Sequence, residues 1–248
     1  MLFRNIAQII SLKLKQATAQ TASLFEQVQD DAQILSAYTN EYALSRRLRS
    51  GSRYLTQPRT ETAVIWFSDI VNFSSYVLTL SPPRTAELVQ QFFNIQVEAI
   101  ERHGGHVDKF MGDGMMAFWI CSTDEENNDQ TACENALEAA EEVSRSISRI
   151  HIGAEPLEIR VGLHIGQALS GDFGSAKRHQ FTLIGADVNK AARLEQIHDD
   201  VISNRDDECG PIRMSEEFHD RLSEATRKRH SRSSSATIKN LGRLPFFH

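Results

Sequence analysis

Cysteine is scarce in this chain: Cys121, Cys133 and Cys209 are the only three, and none falls in a CxxC or Cys/His spacing. That argues against a disulfide scaffold or a thiolate metal site, and an odd number without a secretory leader is expected of reduced thiols in the cytosol. Long apolar runs are missing as well. No stretch approaches the ~18 uninterrupted apolar residues that cross a bilayer, so no membrane span is expected. Segment 2–14 is broken by Arg4, Asn5, Gln8 and Lys13, which reads as an amphipathic helix rather than a secretion signal. Nor is there an excess of positive charge: 27 basic residues face 33 acidic ones, for a net charge of -6. No global attraction to nucleic acid or to an anionic surface follows, and any polyanion must be held by locally placed groups. With 13 Gly and 6 Pro, 40% hydrophobic and 24% charged residues, the composition excludes collagen-like and disordered chains. Its 248 residues are about one and a half times a ~150-residue domain, which predicts one domain and an appendage.

The appendage is placed at 1–57. Residues 1–49 contain neither Gly nor Pro, and Phe3, Ile6, Ile10 and Leu14, then Leu24, Val28, Ile34 and Leu35, return at roughly helical spacing. One or two helices with an apolar face are expected, either packing on the main domain or serving to dimerise or regulate it. A turn-rich linker at 51–58 leads into the main domain, 58–248.

In that domain short apolar runs alternate with helical segments. Residues 63–67 read as a buried strand, and Ser81-Pro82-Pro83 opens a helix with a Ser cap and Pro at the first position. Val89, Phe93, Val97 and Ile100 form the stripe expected to face the core. After Gly104-Gly105, strands at 106–111 and 115–119 are joined by the tight turn Gly112-Asp113-Gly114. A second helix carries Cys133, Leu137, Ala140, Val143, Ile147 and Ile150 on one face, and a strand follows at 157–165. The order βαββαβ predicts an α+β fold with a ferredoxin-like core, two helices on one sheet face and the other face free. Additional strand–helix elements follow: a polar stretch at 171–179, a strand at 181–184 and a helix at about 187–197. A solvated acidic loop at 206–208, a short helix at 215–225, a basic, Ser-rich stretch at 227–235 read as a solvated loop, and a last strand complete the expectation.

Two carboxylates are unusually placed, Asp69 directly after a buried strand and Asp113 on the hairpin tip. Hard oxygen ligands on separate strand ends suit Mg²⁺ or Mn²⁺, although an Asp in a turn is commonly an Asx-turn residue. His103 and His106 flank a turn and have no third ligand nearby in sequence, so they read as a turn pair. His164 reads as packed in its strand.

The phrases FSDIVNFS (67–74), VDKFMGDGMMAFW (107–119), RVGLHIGQALSGDFGS (160–175) and FTLIGADVNKAARLE (181–195), in that order, closely resemble the catalytic domain of the class III nucleotide cyclases. The resemblance covers about 62–197, with a weaker continuation. It implies that Asp69, Asp113 and the Ile70 carbonyl hold two Mg²⁺ or Mn²⁺ ions, and that Asn189 and Arg193 stabilise the transition state. Arg160 resembles an arginine that contacts the terminal phosphates. Lys109 and Thr182 resemble the adenine-selecting pair, where guanylyl cyclases usually carry Glu and Cys, so ATP is the implied substrate.

Since the family builds each site across two catalytic domains, the resemblance further implies an obligate homodimer. The Thr at 182 resembles the branch in which a bicarbonate response is common, and regulation through the N-terminal helices or a protein partner is the other expectation. Two positions depart from the pattern. Asn72 stands where Gly is common, and Ala186 replaces a frequent Asp, which predicts Asp187 as the helix cap. A guanylate cyclase, or a degenerate dimeric nucleotide-binding module, are the alternative readings.

Overall fold

The computed structural model describes residues 58–121, 128–175, 178–197, 209–238 and 242–248, together with 13, 42 and 43. The chain divides into two compact units, Met1–Ser45 and Arg46–His248. Lys13, Tyr42 and Ala43 are helical, but otherwise the expected N-terminal helices, the linker before residue 58 and the acidic loop at 206–208 lie outside the described residues.

The second unit runs β1 (Arg59–Ile70), α1 (Phe73–Thr79), α2 (Pro82–Arg102), β2 (His106–Met111), β3 (Gly114–Ile120), α3 (Asn128–Ile147), the small pair β4 (His151–Ile152) and β5 (Glu155–Pro156), β6 (Ile159–Asp172), β7 (Phe181–Ile184), α4 (Ala186–Glu195), β8 (Ile212–Met214), α5 (Glu216–His219), α6 (Glu224–Arg229), β9 (Ser233–Ile238) and β10 (Gly242–Phe247). Strands β2, β3, β1 and β6 are neighbours in that order, and every pairing among them is antiparallel. This is the predicted split βαβ core. The sheet then continues through β8, parallel to β6, into β10 and β9, while β7 pairs with the far end of β6.

β1 is longer than the apolar run that announced it. It pairs with β6 along its whole length, from Arg59 opposite Ser170 to Ile70 opposite Ile159, so ladder hydrogen bonds carry the strand past its hydrophobic centre. Val64, Trp66, Met115, Ala117, Val161 and Leu163 share one core with Phe92, Ile100, Cys133, Leu137 and Val143 from α2 and α3.

The stripe of α2 departs from expectation by one residue. Leu88, Phe92, Gln96, Ala99 and Ile100 are buried, while Val89, Phe93 and Val97 are only half-buried. Gln96 is the reason: a polar residue interrupts the apolar pattern of the buried face. It is held inside because Ser68 Oγ donates to its Oε1 at 2.5 Å and its own amide donates to the Phe92 carbonyl at 3.3 Å. The α3 face holds for Cys133, Leu137, Ala140, Val143 and Ile147, which are buried, but the helix ends at Ile147, so Ile150 lies beyond it and is only half-buried.

The second sheet face, expected to be free, is covered over β6 and β1. Ile65, Met116, Phe118 and His164 are buried, and α4 packs against β6 and β1. Gly162 permits that approach, since a Cβ there would stand 2.5 Å from Glu195 N and 2.6 Å from the Ala191 carbonyl. The stretch 227–235 is also not a loop. It contributes the end of α6 and the start of β9, anchored where Glu134 of α3 accepts from Ser223 N (2.7 Å) and Thr226 Oγ1 (2.9 Å). The helix expected near 215–225 is two short ones, α5 and α6, each capped by a serine side chain.

Candidate active site

Asp69 is the penultimate residue of β1, and Asp113 lies in the turn between β2 and β3. The antiparallel pairing of β1 with β3 brings the hairpin tip to the end of β1. Gly114 allows the contact, because a Cβ there would lie 2.8 Å from the Ser68 carbonyl and 3.8 Å from Asp69 Oδ1. Burial first, then the Asp69 carboxylate beside it, push the Asp113 carboxyl up to about 6. Repulsion between two adjoining carboxylates is what a divalent cation relieves, and an all-oxygen donor set fits Mg²⁺ or Mn²⁺. Among the described residues there is no cluster of three or more His, Cys, Asp or Glu side chains able to hold a metal. Any cation at Asp69 and Asp113 therefore needs further oxygens from backbone, water or substrate.

Arg160 of β6 lies opposite Asp69 in the ladder. Its guanidinium stands 3.4 Å from Asp69 Oδ2 and 3.7 Å from Glu195 Oε1, so its charge is met within the chain by two carboxylates. Glu195 escaped the sequence reading, although its spacing from Val188 and Ala191 puts it on the buried face of α4. Burial, then the charge of Asp69, raise its carboxyl to about 7, with Arg160 and Arg213 partly offsetting the shift.

A pH effect follows. The folded-state value lies above the usual 4.5, so stability falls as pH rises from that value through about 7, and the full penalty remains above it. Glu195→Gln removes the ionisation. In metal-free buffer its gain over the unsubstituted protein, measured by urea unfolding, should be about 2 kcal/mol larger at pH 8 than at pH 5. An equal gain at both pH values would refute the assignment.

Lys109 on β2 and Thr182 on β7 meet directly: Lys109 Nζ donates to Thr182 Oγ1 at 2.9 Å. A third residue joins them. The Thr182 hydroxyl donates to Asp108 Oδ2 at 2.5 Å, and Lys109 Nζ stands 3.3 Å from the same oxygen.

Asn189 and Arg193 sit one turn apart on α4, and both are exposed. The Arg193 guanidinium donates to Gln196 Oε1 at 2.8 Å. Among the described residues no hydrogen bond or ion pair joins Asn189 or Arg193 to Asp69 or Asp113. The chain thus brings together the acidic pair with Arg160, and separately Lys109 with Thr182, and leaves the helical pair facing outward.

The two departures from the family pattern resolve differently. Asn72 takes φ 58 and ψ 28, the left-handed conformation expected of a residue in a glycine's place. Asp187 is not the cap of α4. That position belongs to Gly185, with no side-chain cap bond; Asp187 instead accepts from Gln167 N at 2.7 Å and lies 3.3 Å from His164 Nε2. His164, buried as read, bonds Ser215 Oγ at 2.7 Å. His103 joins Glu142 and Glu138 of α3, so it bridges two helices, and the His106 ring lies against Phe118.

The family profile described as "Adenylate and Guanylate cyclase catalytic domain" matches residues 55–242. The chain belongs to that family. Adenylate cyclase 1 of Rhizobium meliloti (strain 1021) is 31% identical over 136 residues, covering 54% of this chain and 20% of that protein. The matched segment is thus about a fifth of its relative's length. Among solved structures, a bacterial light-regulated adenylyl cyclase superposes with a TM-score of 0.70 at 21% identity, over 91% of this chain and 63% of that one. The guanylate cyclase domain of RhGC from Catenaria anguillulae, in complex with GTP, gives 0.60 at 19% identity, over 76% and 96%. Both show the fold of a cyclase domain. The protein is therefore a nucleotide cyclase catalytic domain, of a class generally dependent on divalent metal. Among the described residues no helix is long and apolar enough to cross a membrane.

Proposed function

We propose that this cyclase domain, placed at 58–248 and preceded by a helical extension at 1–57, converts ATP to 3′,5′-cyclic AMP and pyrophosphate. The Lys109–Thr182 hydrogen bond carries this reading. Adenine offers an acceptor at N1 and a donor at its 6-amino group, which an ammonium and a hydroxyl oxygen can meet, whereas guanine reverses both polarities. The name of the Rhizobium relative, an adenylate cyclase, supports the same choice.

In this reading Asp69, Asp113 and the Ile70 carbonyl hold two Mg²⁺ or Mn²⁺ ions. Bound there, such ions lower the pKa of the attacking 3′-hydroxyl and neutralise the departing pyrophosphate. The protein's own residues do the rest. Arg160 turns from its local carboxylates toward the terminal phosphates, Asn189 orients the ribose, and Arg193 receives the charge that grows on the α-phosphate. Two chains form an obligate homodimer, each site taking Asp69 and Asp113 from one protomer and Lys109, Thr182, Asn189 and Arg193 from its partner. Support comes from the outward-facing Asn189 and Arg193, and from exposed apolar residues near the site: Phe110, Met111, Leu169 and Ile184. The low cysteine content, with Cys121 and Cys133 buried, suits a cytoplasmic setting. Bicarbonate or a protein partner regulates the domain by shifting the dimer geometry.

Purified protein incubated with Mn²⁺ and either ATP or GTP tests the assignment by the identity of the cyclic product. Cyclic AMP made in preference to cyclic GMP is expected. Exclusive formation of cyclic GMP would make it a guanylate cyclase, and no product from either nucleotide would leave a binding module.

A further inference from the structure

Asp108 has no part in the reaction as described, yet it is the residue that settles what Thr182 can do. A threonine hydroxyl rotates freely and can donate or accept, so on its own it meets the amino group of adenine or the carbonyl of guanine. We propose that Asp108 is a specificity-determining positioning residue: by taking the Thr182 hydroxyl proton it fixes that oxygen as an acceptor toward the nucleobase and so favours adenine. The inference rests on the ATP reading above.

The hydrogen bonds around Thr182 define its polarity. Its proton goes to Asp108 Oδ2 at 2.5 Å, the length of a charge-assisted O–H···O⁻ bond. The other acceptor within reach, the Leu183 carbonyl, is at 3.4 Å and competes poorly. One lone pair of Thr182 Oγ1 is taken by Lys109 Nζ at 2.9 Å, which leaves a second lone pair and no proton for a ligand. The Asp108 side chain is wholly buried (0% exposed), and Lys109 Nζ stands 3.3 Å from its Oδ2.

Strand geometry explains how two consecutive residues reach one hydroxyl. In a regular strand Asp108 and Lys109 would point to opposite faces. Here the β2–β3 register shifts between Val107, opposite Ala117, and Lys109, opposite Met116, so Asp108 is the extra residue of a β-bulge. Bulges re-aim side chains beside active sites, and this one turns both Asp108 and Lys109 toward Thr182 of β7.

The experiment is a comparison of kcat/KM for ATP and for GTP, with Mn²⁺, in the full chain and in Asp108→Ala, Asp108→Asn, Thr182→Val and the Asp108→Ala/Thr182→Val double variant. Asp108→Ala should lower the ATP:GTP ratio about tenfold, mainly through a higher KM for ATP. Asp108→Asn keeps the shape and a neutral carbonyl oxygen that accepts less strongly, so its ratio should fall in between. It also carries the test should the alanine variant not fold. With Thr182→Val in place, Asp108→Ala should change the ratio no further, because the residue acts through the missing hydroxyl. Equal losses for both nucleotides in the Asp108 variants, or the same drop in the Thr182→Val background, overturns the inference alone. An unsubstituted protein that prefers GTP, or makes no cyclic product, overturns the ATP reading and the inference with it.

Discussion

Asp69→Ala should lower cyclase turnover by about three orders of magnitude, equivalent to roughly 4 kcal/mol of transition-state stabilisation. The side chain stands at the end of β1, half-exposed, where it accepts from Ile70 N at 3.0 Å and faces Arg160 at 3.4 Å. None of its atoms is needed for the core, whose β1 members are Val64, Trp66 and Ile70, so the variant should fold. What it loses is half of the acidic pair. The repulsion that now helps hold a proton on Asp113 up to about 6 would disappear, and with it the concentration of negative charge that draws a divalent cation. Chelation should reproduce the defect in the unsubstituted protein, and added Mn²⁺ should reverse it there but not in Asp69→Ala. The measurement is cyclic-nucleotide formation beside a far-ultraviolet circular dichroism spectrum. Retention of more than a tenth of the activity by a folded variant would remove Asp69 from the metal site.

Mixing two dead variants should restore activity. Asp69→Ala chains lack the acidic pair but keep Asn189 and Arg193, and Asn189→Ala chains have the opposite defect. In a shared-site dimer a mixed pair carries one site with both lesions and one with neither. Random exchange of equal amounts makes half of the dimers mixed, so activity should recover to about a quarter of the unsubstituted level. Asn189→Ala alone should cost about a hundredfold in kcat with a smaller change in KM, because the lost contact strengthens only as charge develops. The physical basis is the exposure of Asn189 and Arg193 on α4 and their lack of any bond to Asp69 or Asp113 among the described residues. A mixture as inactive as its components, with exchange demonstrated by differently tagged chains, would show that each chain builds its own site.

Much of this arrangement was legible because the relevant signals are local. The turn Gly112-Asp113-Gly114, the Ser81-Pro82-Pro83 helix start and the spacing of Asn189 and Arg193 each depend on a few adjacent residues. All three lie where expected, as a hairpin tip, the start of α2 and one face of α4, although Ser81 holds the cap position without a side-chain cap bond. Asn72 is similar: a left-handed turn calls for Gly or Asn whatever surrounds it, and its φ of 58 agrees.

Other features depend on partners far away in the chain. Gln96 is buried because Ser68, on another element, meets it, and that contact moved the core stripe of α2 by one position. Asp187 resembled a helix cap, but bonds to Gln167 N and lies beside His164, so the start of α4 is tied to β6 instead. Over β6 and β1 the second sheet face is covered because α4 returns across them, a return that strand order alone does not specify.

By itself, then, the sequence determined the split βαβ order and the family, and it nominated Asp69, Asp113, Lys109, Thr182, Asn189 and Arg193 as site candidates, since these reside in periodicity, turn chemistry and short ordered motifs. Only the tertiary structure decided which charges meet. It placed Arg160 between Asp69 and Glu195, and it set Asp108 beside Thr182 through a bulge that breaks strand alternation. Electrostatics and hydrogen-bond polarity act across space at a few ångströms, and those distances are set by strand pairing and packing between residues far apart in the chain, as Asp69 and Arg160 are, 91 positions apart.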